Sequence, residues 1–188
     1  MPGDFHRRGI KVRPTVSARE AMQEAYDVLT TGARKTGAEF TEPDDDWRPM
    51  WVILTKTQGT HVTGNAHKHA MTDYVATLAR KYGAVAVGHL HSSWMIHAQD
   101  VDEQRFDEIH AYLRQGGSLE DVPESREQLM LNLHSAGETR QYHARIHRDG
   151  VRPPALDPFE LAISTAEKNA EVSGAMSDPI VAALRRIG

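Results

Sequence analysis

Residues 83–97, GAVAVGHLHSSWMIH, constrain the fold of this chain more than any other stretch. A short apolar run bounded by Gly83 and Gly88 has the length and composition of a buried strand. The run continues into His89 and His91. Side chains two apart on a strand point to the same face, so these imidazoles sit side by side. A buried strand needs partner strands and a covering layer, and the flanking sequence supplies both.

Ser17 followed by Glu20 forms a capping box, opening a helix over 17–36 with Met22, Ala25, Tyr26, Leu29 and Ala33 as its apolar stripe. Residues 51–55 read as a short apolar strand, and Gln58-Gly59 turns into a second one near 61–63. Asn65 caps a helix over 66–82 that Gly83 ends. The strand over 84–96 follows, a connection long enough for a parallel crossover. Asp100 with Glu103 marks another helix start, with Phe106, Ile109 and Leu113 as its stripe. Leu129, Leu131 and Leu133 alternate with polar residues. After the turn SAGE, so do Tyr142, Ala144 and Ile146, which predicts an antiparallel hairpin with one buried face. Asp157-Pro158 with Glu160, and then Asp178-Pro179, carry helix-start chemistry and predict two C-terminal helices.

Composition narrows the function classes. The chain has 188 residues and no cysteine, which excludes disulfides, thiolate zinc sites and cysteine nucleophiles. No apolar run approaches the ~18–20 residues of a membrane span, and the N-terminal residues lack a secretory pattern. A cytoplasmic protein is the expectation. The formal net charge of −4 argues against a duplex nucleic-acid binder. Arg7, Arg8, Lys11 and Arg13 nonetheless make the first segment basic, and only that arm suits nucleic acid. The eleven histidines are His6, His61, His67, His69, His89, His91, His97, His110, His134, His143 and His147. They are dispersed, so this is no tract.

Three histidine arrangements carry candidate chemistry. His89 and His91 with Asp102, ten residues further on, form a set suited to zinc with a fourth position open to water. His61 with Thr63 and His91 with Ser93 are two histidine-x-hydroxyl pairs, in which imidazoles serve as acid and base while hydroxyls hold phosphate oxygens. His89, His91, His134, His143 and His147 share one sheet face if their strands are neighbours, giving a metal-binding or pH-sensitive surface, or simply a polar outer face. His67 and His69, two apart on a helix, point in different directions and do not chelate together.

The first arrangement resembles the JAMM (MPN) metallo-isopeptidase motif, which implies zinc on His89, His91 and Asp102 and an upstream glutamate activating the zinc water. The sequence departs from it at Ser92, where the family has proline, and at Gln99, where it has serine. Glu39 or Glu42 would have to be the glutamate. The second arrangement is similar to the paired motifs of 2H phosphoesterases, though its two copies lie closer in sequence than that family's halves. Taken as a whole, residues 47–148 resemble a family of small uncharacterised phage and bacterial α+β proteins. These share a first strand around Trp51, a helix, an apolar strand ending near Trp94, and the hairpin begun by REQLM. That resemblance implies no activity, and the paired histidines are not part of its pattern.

These readings predict an α+β fold: a mixed sheet of four or five strands, helices mainly on one face, and C-terminal helices. The expected organisation is a flexible basic arm (1–16), an α+β domain (17–154) and a helical appendage (155–188). The leading functional expectation is a non-catalytic binding or accessory protein of phage or prophage type, with a protein partner and no cofactor. A homodimer closed by the terminal helices is also expected. The alternatives are the zinc hydrolase and the phosphoesterase.

Overall fold

The computed structural model describes residues 5–64, 68–165 and 178–187. The fold is α+β. Its centre is a large antiparallel sheet built from β1 (Phe5–Ile10), β2 (Met50–Leu54), β3 (Gly59–Gly64), β4 (Ala86–Met95), β5 (Arg126–His134), β6 (Thr139–His147), β7 (Ala155–Leu156) and β8 (Glu160–Ser164). The spatial order is β1-β3-β2-β4-β5-β6, with β7 and β8 sharing the outer edge of β6. The helices are α1 (Ala18–Ala38), α2 (Lys68–Tyr82), α3 (Glu103–Arg114) and α4 (Asp178–Arg185).

Several expectations hold in detail. Ser17 caps α1, its hydroxyl accepting from Glu20 N at 3.2 Å, while the Glu20 carboxylate accepts from Val16 N. Gly83 ends α2 with φ 65°, a conformation that suits glycine. β4 is central beside the β5–β6 hairpin, and Leu129, Leu131 and Leu133 are fully buried. At about 1.5–3 kcal/mol per buried aliphatic side chain, this leucine row alone strongly favours the sheet.

Other expectations are corrected. Among the described residues the sheet has eight strands rather than four or five, and every pairing is antiparallel rather than mixed. The α2 connection does join two parallel strands, β3 and β4, but β2 lies between them and pairs with both. Residues 5–10, expected within a flexible arm, form an edge strand on β3. Beyond it, Arg13 is tied to Glu24 and Asp27 of α1. The helix expected from Asp157 is instead β7 and β8, because the outer edge of β6 offers backbone partners that outweigh local cap chemistry. Asp102, not Asp100, caps α3; Asp100 pairs with Arg126 at 2.8 Å. The expected cap at Asn65 lies outside the described residues, as does 166–177.

Helices cover both faces rather than mainly one. Met22, Ala25, Leu29 and Ala33 of α1 pack on Val52, Leu54, Leu90, Leu129, Leu131 and Leu133. The approach is close: a Cβ on Gly88 would sit 2.6 Å from Leu29 Cδ1 and 3.2 Å from Ala25 Cβ. On the opposite face, Met71, Val75 and Leu78 of α2 and Ile180 and Leu184 of α4 pack on Trp51, Ile53 and Val87. Ile180 and Leu184, which the sequence assigns to a subunit interface, are thus buried within the chain itself. Arg148 anchors the acidic linker before β2. It forms a bidentate pair with Glu127 and donates to Asp46 and to the carbonyls of Pro43 and Asp45.

Candidate functional site

Residues paired directly across antiparallel strands share a face, so the registers decide which polar groups meet. His89 lies between Trp51 of β2 and Asn132 of β5, and Asn132 lies opposite Gln141 of β6. One row along, His91, Met130 and His143 line up. On the other side are Val87, His134 and Thr139. His89, His91, His134 and His143 therefore do share one face, the one α2 and α4 cover at its β2 end. His147 follows in the same alternation and bonds Asp157 at 2.9 Å. The polar outer face weighed as the simple alternative is not what forms, since His89, Gln128, Asn132 and His134 are all buried.

The buried polar groups are partly paired with one another. Gln141 Nε2 donates to Asn132 Oδ1 at 3.0 Å, and His134 Nδ1 lies 3.1 Å from Thr139 Oγ1. The Gln128 amide nitrogen donates to His97 Nε2. His97 also meets the edge of His143, with ring centroids 5.5 Å apart. Trp51 Nε1, His89 Nε2, Gln128 Oε1 and His134 Nε2 lack a hydrogen-bond partner among the described residues.

Burial sets the protonation of this face. It holds His89 well below the ordinary imidazole range, reinforced by His91 and His134. Burial likewise lowers His134 to about 4, with Asp178 opposing. His143 is lowered by burial and by His97. A charged imidazole out of water is costly, so at neutral pH His89 and His134 are uncharged.

His89 and His91 are adjacent, as their spacing predicts, but as a stack. Trp51, His89 and His91 form a pile with centroid separations of 4.6 and 4.4 Å and interplanar angles of 14° and 6°. A ring nitrogen's lone pair lies in its ring plane, so parallel rings aim their lone pairs side by side rather than at one ion. Asp102 accepts from Arg105 N at 2.8 Å as the cap of α3. Glu39 caps the C-terminal end of α1 and lines a crevice with Met50 and Val52 on the α1 side of the sheet. Among the described residues, no three His, Asp or Glu side chains are grouped to hold a metal ion.

The second pairing is divided by the sheet itself. His61 lies opposite Val52, and Thr63 opposite Met50, on the α1 face; His91 and Ser93 are on the other. The two pairs do not line one cleft. Burial and Arg8 lower His61. His67 lies outside the described residues.

Sequence reasoning missed the amides. Asn132 and Gln141 stand at positions read as solvent-facing, Gln128 continues the same alternation one step earlier, and the available signal was their type: amides and imidazoles rather than lysines and glutamates. Beside them is a cavity of about 430 Å³, lined by His97, Gln128, His143, Arg126, Arg145 and Glu160 among others. A scan of protein-family models, a search of curated proteins and a search of solved structures each gave no match to this chain.

Proposed function

We propose that this chain is a cytoplasmic, non-catalytic binding or accessory protein of phage or prophage type. It contacts a protein partner through the polar half of the β4–β6 face. The observation that supports this reading is the set of buried, neutral and incompletely bonded polar side chains where the α2–α4 apolar layer ends, Gln128 and His134 above all. Leaving such a group unpaired costs about 1–3 kcal/mol, and a partner recovers it only if binding first opens these atoms, which are sealed from solvent in the free chain. The phage or prophage setting rests on the sequence resemblance over 47–148.

The rival reading is a zinc hydrolase on His89, His91 and Asp102, favoured by the adjacency of the two imidazoles. It requires the stack to rotate apart and Asp102 to leave the α3 cap. Elemental analysis of protein purified without a histidine tag separates the two. The binding reading expects no stoichiometric zinc; zinc at one equivalent, abolished by His89→Ala, would overturn it.

A further inference from the structure

The end of the sheet formed by β1, β3 and β2 is a basic island on a chain whose formal net charge is −4. These three strands hold Arg7 and Arg8 and not one aspartate or glutamate. β1 ends the strand order, and among the described residues no strand pairs with its outer edge. An edge strand turns the N–H and C=O of every second residue outward, and His6, Arg7, Arg8 and Gly9 are all exposed. The register puts the two arginines on opposite faces. Arg8 lies opposite His61 on the α1 side, and Arg7 opposite Val62 on the α2 side. Each has a second cation beside it. Arg8 and Lys35, both exposed, line one crevice of about 250 Å³ with His61, against a single carboxylate, Glu39. Arg7 donates to Tyr82 Oη at 2.7 Å, and Lys81 Nζ lies 5.9 Å from the centroid of that ring. Among the described residues none of these four cations makes an ion pair.

We propose that the outer edge of β1 takes up an extended acidic segment of a protein partner as an added strand. The backbone of such a segment completes the ladder, and its side chains alternate between the two faces. Of two adjacent carboxylates in it, one therefore points to Arg8 and Lys35 and the other to Arg7 and Lys81. A second copy of this chain fits poorly, since antiparallel pairing of β1 with itself sets arginine against arginine. A nucleic acid fits poorly for a different reason. Phosphates accept from the outward N–H groups but leave the outward carbonyls unpaired, and a single phosphate backbone does not follow both faces of a sheet. This edge lies at the other end of the sheet from the β4–β6 face, so the two contacts stand or fall separately.

The test titrates the isotope-labelled full chain with a short capped peptide in which threonines and valines flank two adjacent glutamates. Binding is expected to shift the backbone amides of residues 5–10 saturably and to slow their exchange with solvent. A peptide with glutamine for both glutamates should bind about tenfold more weakly, as for two exposed ion pairs lost. Two further peptides carry backbone N-methyl groups on opposite sets of alternate residues. The one methylated on its outward side should bind as before, and the other at least tenfold more weakly, because its ladder is blocked. Arg8→Gln and Arg7→Gln, both at exposed positions, should each weaken the parent peptide about threefold. Equal binding of both N-methylated peptides, or unchanged affinity in both arginine variants, would overturn the added strand. No shift from the acidic peptide would overturn it too, and leave the arginines as guards of a bare edge. Oligothymidylate that moves the same amides at lower concentration than the peptide would give the edge to nucleic acid instead. The peptide series on the unaltered chain decides even if a variant fails to fold.

Discussion

The two faces of the sheet are made from the same strands and differ in almost everything else. Under α1, Val52, Leu54, Leu90, Leu129, Leu131 and Leu133 form a dry apolar layer with helix methyl groups pressed onto Gly88. On the other side, the residues in between begin as an apolar layer at Trp51 and Ile53. They give way to imidazoles and amides from His89 and His134 onward. One face has its interactions completed within the chain; the other is left with acceptors and ring nitrogens to fill. The first face is apolar throughout, whereas the second joins an apolar core of its own to the candidate site.

The largest expected effect breaks the apolar face. Leu131→Ala should cost about 2–5 kcal/mol, from lost transfer free energy and the cavity it leaves between α1 and β5, read from the midpoint of urea unfolding. A loss below about 1 kcal/mol would mean the α1 layer is not the main core. Acid tests the polar face next. Folding holds His134 neutral down to about pH 4, while the unfolded chain takes up the proton near its ordinary value of 6.5. The stabilisation is therefore complete above pH 6.5 and falls as pH drops toward 4, by about 1.4 kcal/mol per unit. His134 alone should remove about 2–3 kcal/mol between neutral pH and about pH 4.5, with His89 adding in the same direction. Unfolding at both pH values measures it, and a pH-independent difference between wild type and His134→Leu would refute it. The smallest effect is expected of His89→Leu, within about 1 kcal/mol of wild type in either direction. That change removes an unsatisfied buried nitrogen together with a stacked ring. A loss as large as that of Leu131→Ala would show the pile to be a structural element in its own right.

The sequence made the apolar face legible because its signals are local and periodic. The leucine alternation of 129–133, the cap at Ser17 and the stop at Gly83 each state their structure within a few residues. The edge strands were illegible for the same physical reason. β1 and β8 bury little on either face, so neither shows alternation, and Asp157-Pro158 carries cap chemistry that pairing with β6 overrides. The site was half legible. Spacing on β4 gives the adjacency of His89 and His91, and the hairpin alternation puts His134 and His143 on one side of it. Whether that side is wet or covered depends on where α2 and α4 land, which no local pattern encodes. The amides beside the cavity stand at positions read as surface, and the burial of Gln128 and Asn132 is a property of the folded chain alone.

The insertion of β2 between the parallel strands β3 and β4 has a further consequence for the order of assembly. The β2–β3 and β5–β6 hairpins close over a few residues each, and β4 docks on both. β1 must wait: Ile10 meets Gly59 and Phe5 meets Gly64, so its partner emerges roughly fifty residues later during synthesis. That span of chain is held at the Ile10 end, which packs on the α1 core, so the basic strand is tied to the molecule through both its ladder and its last residue.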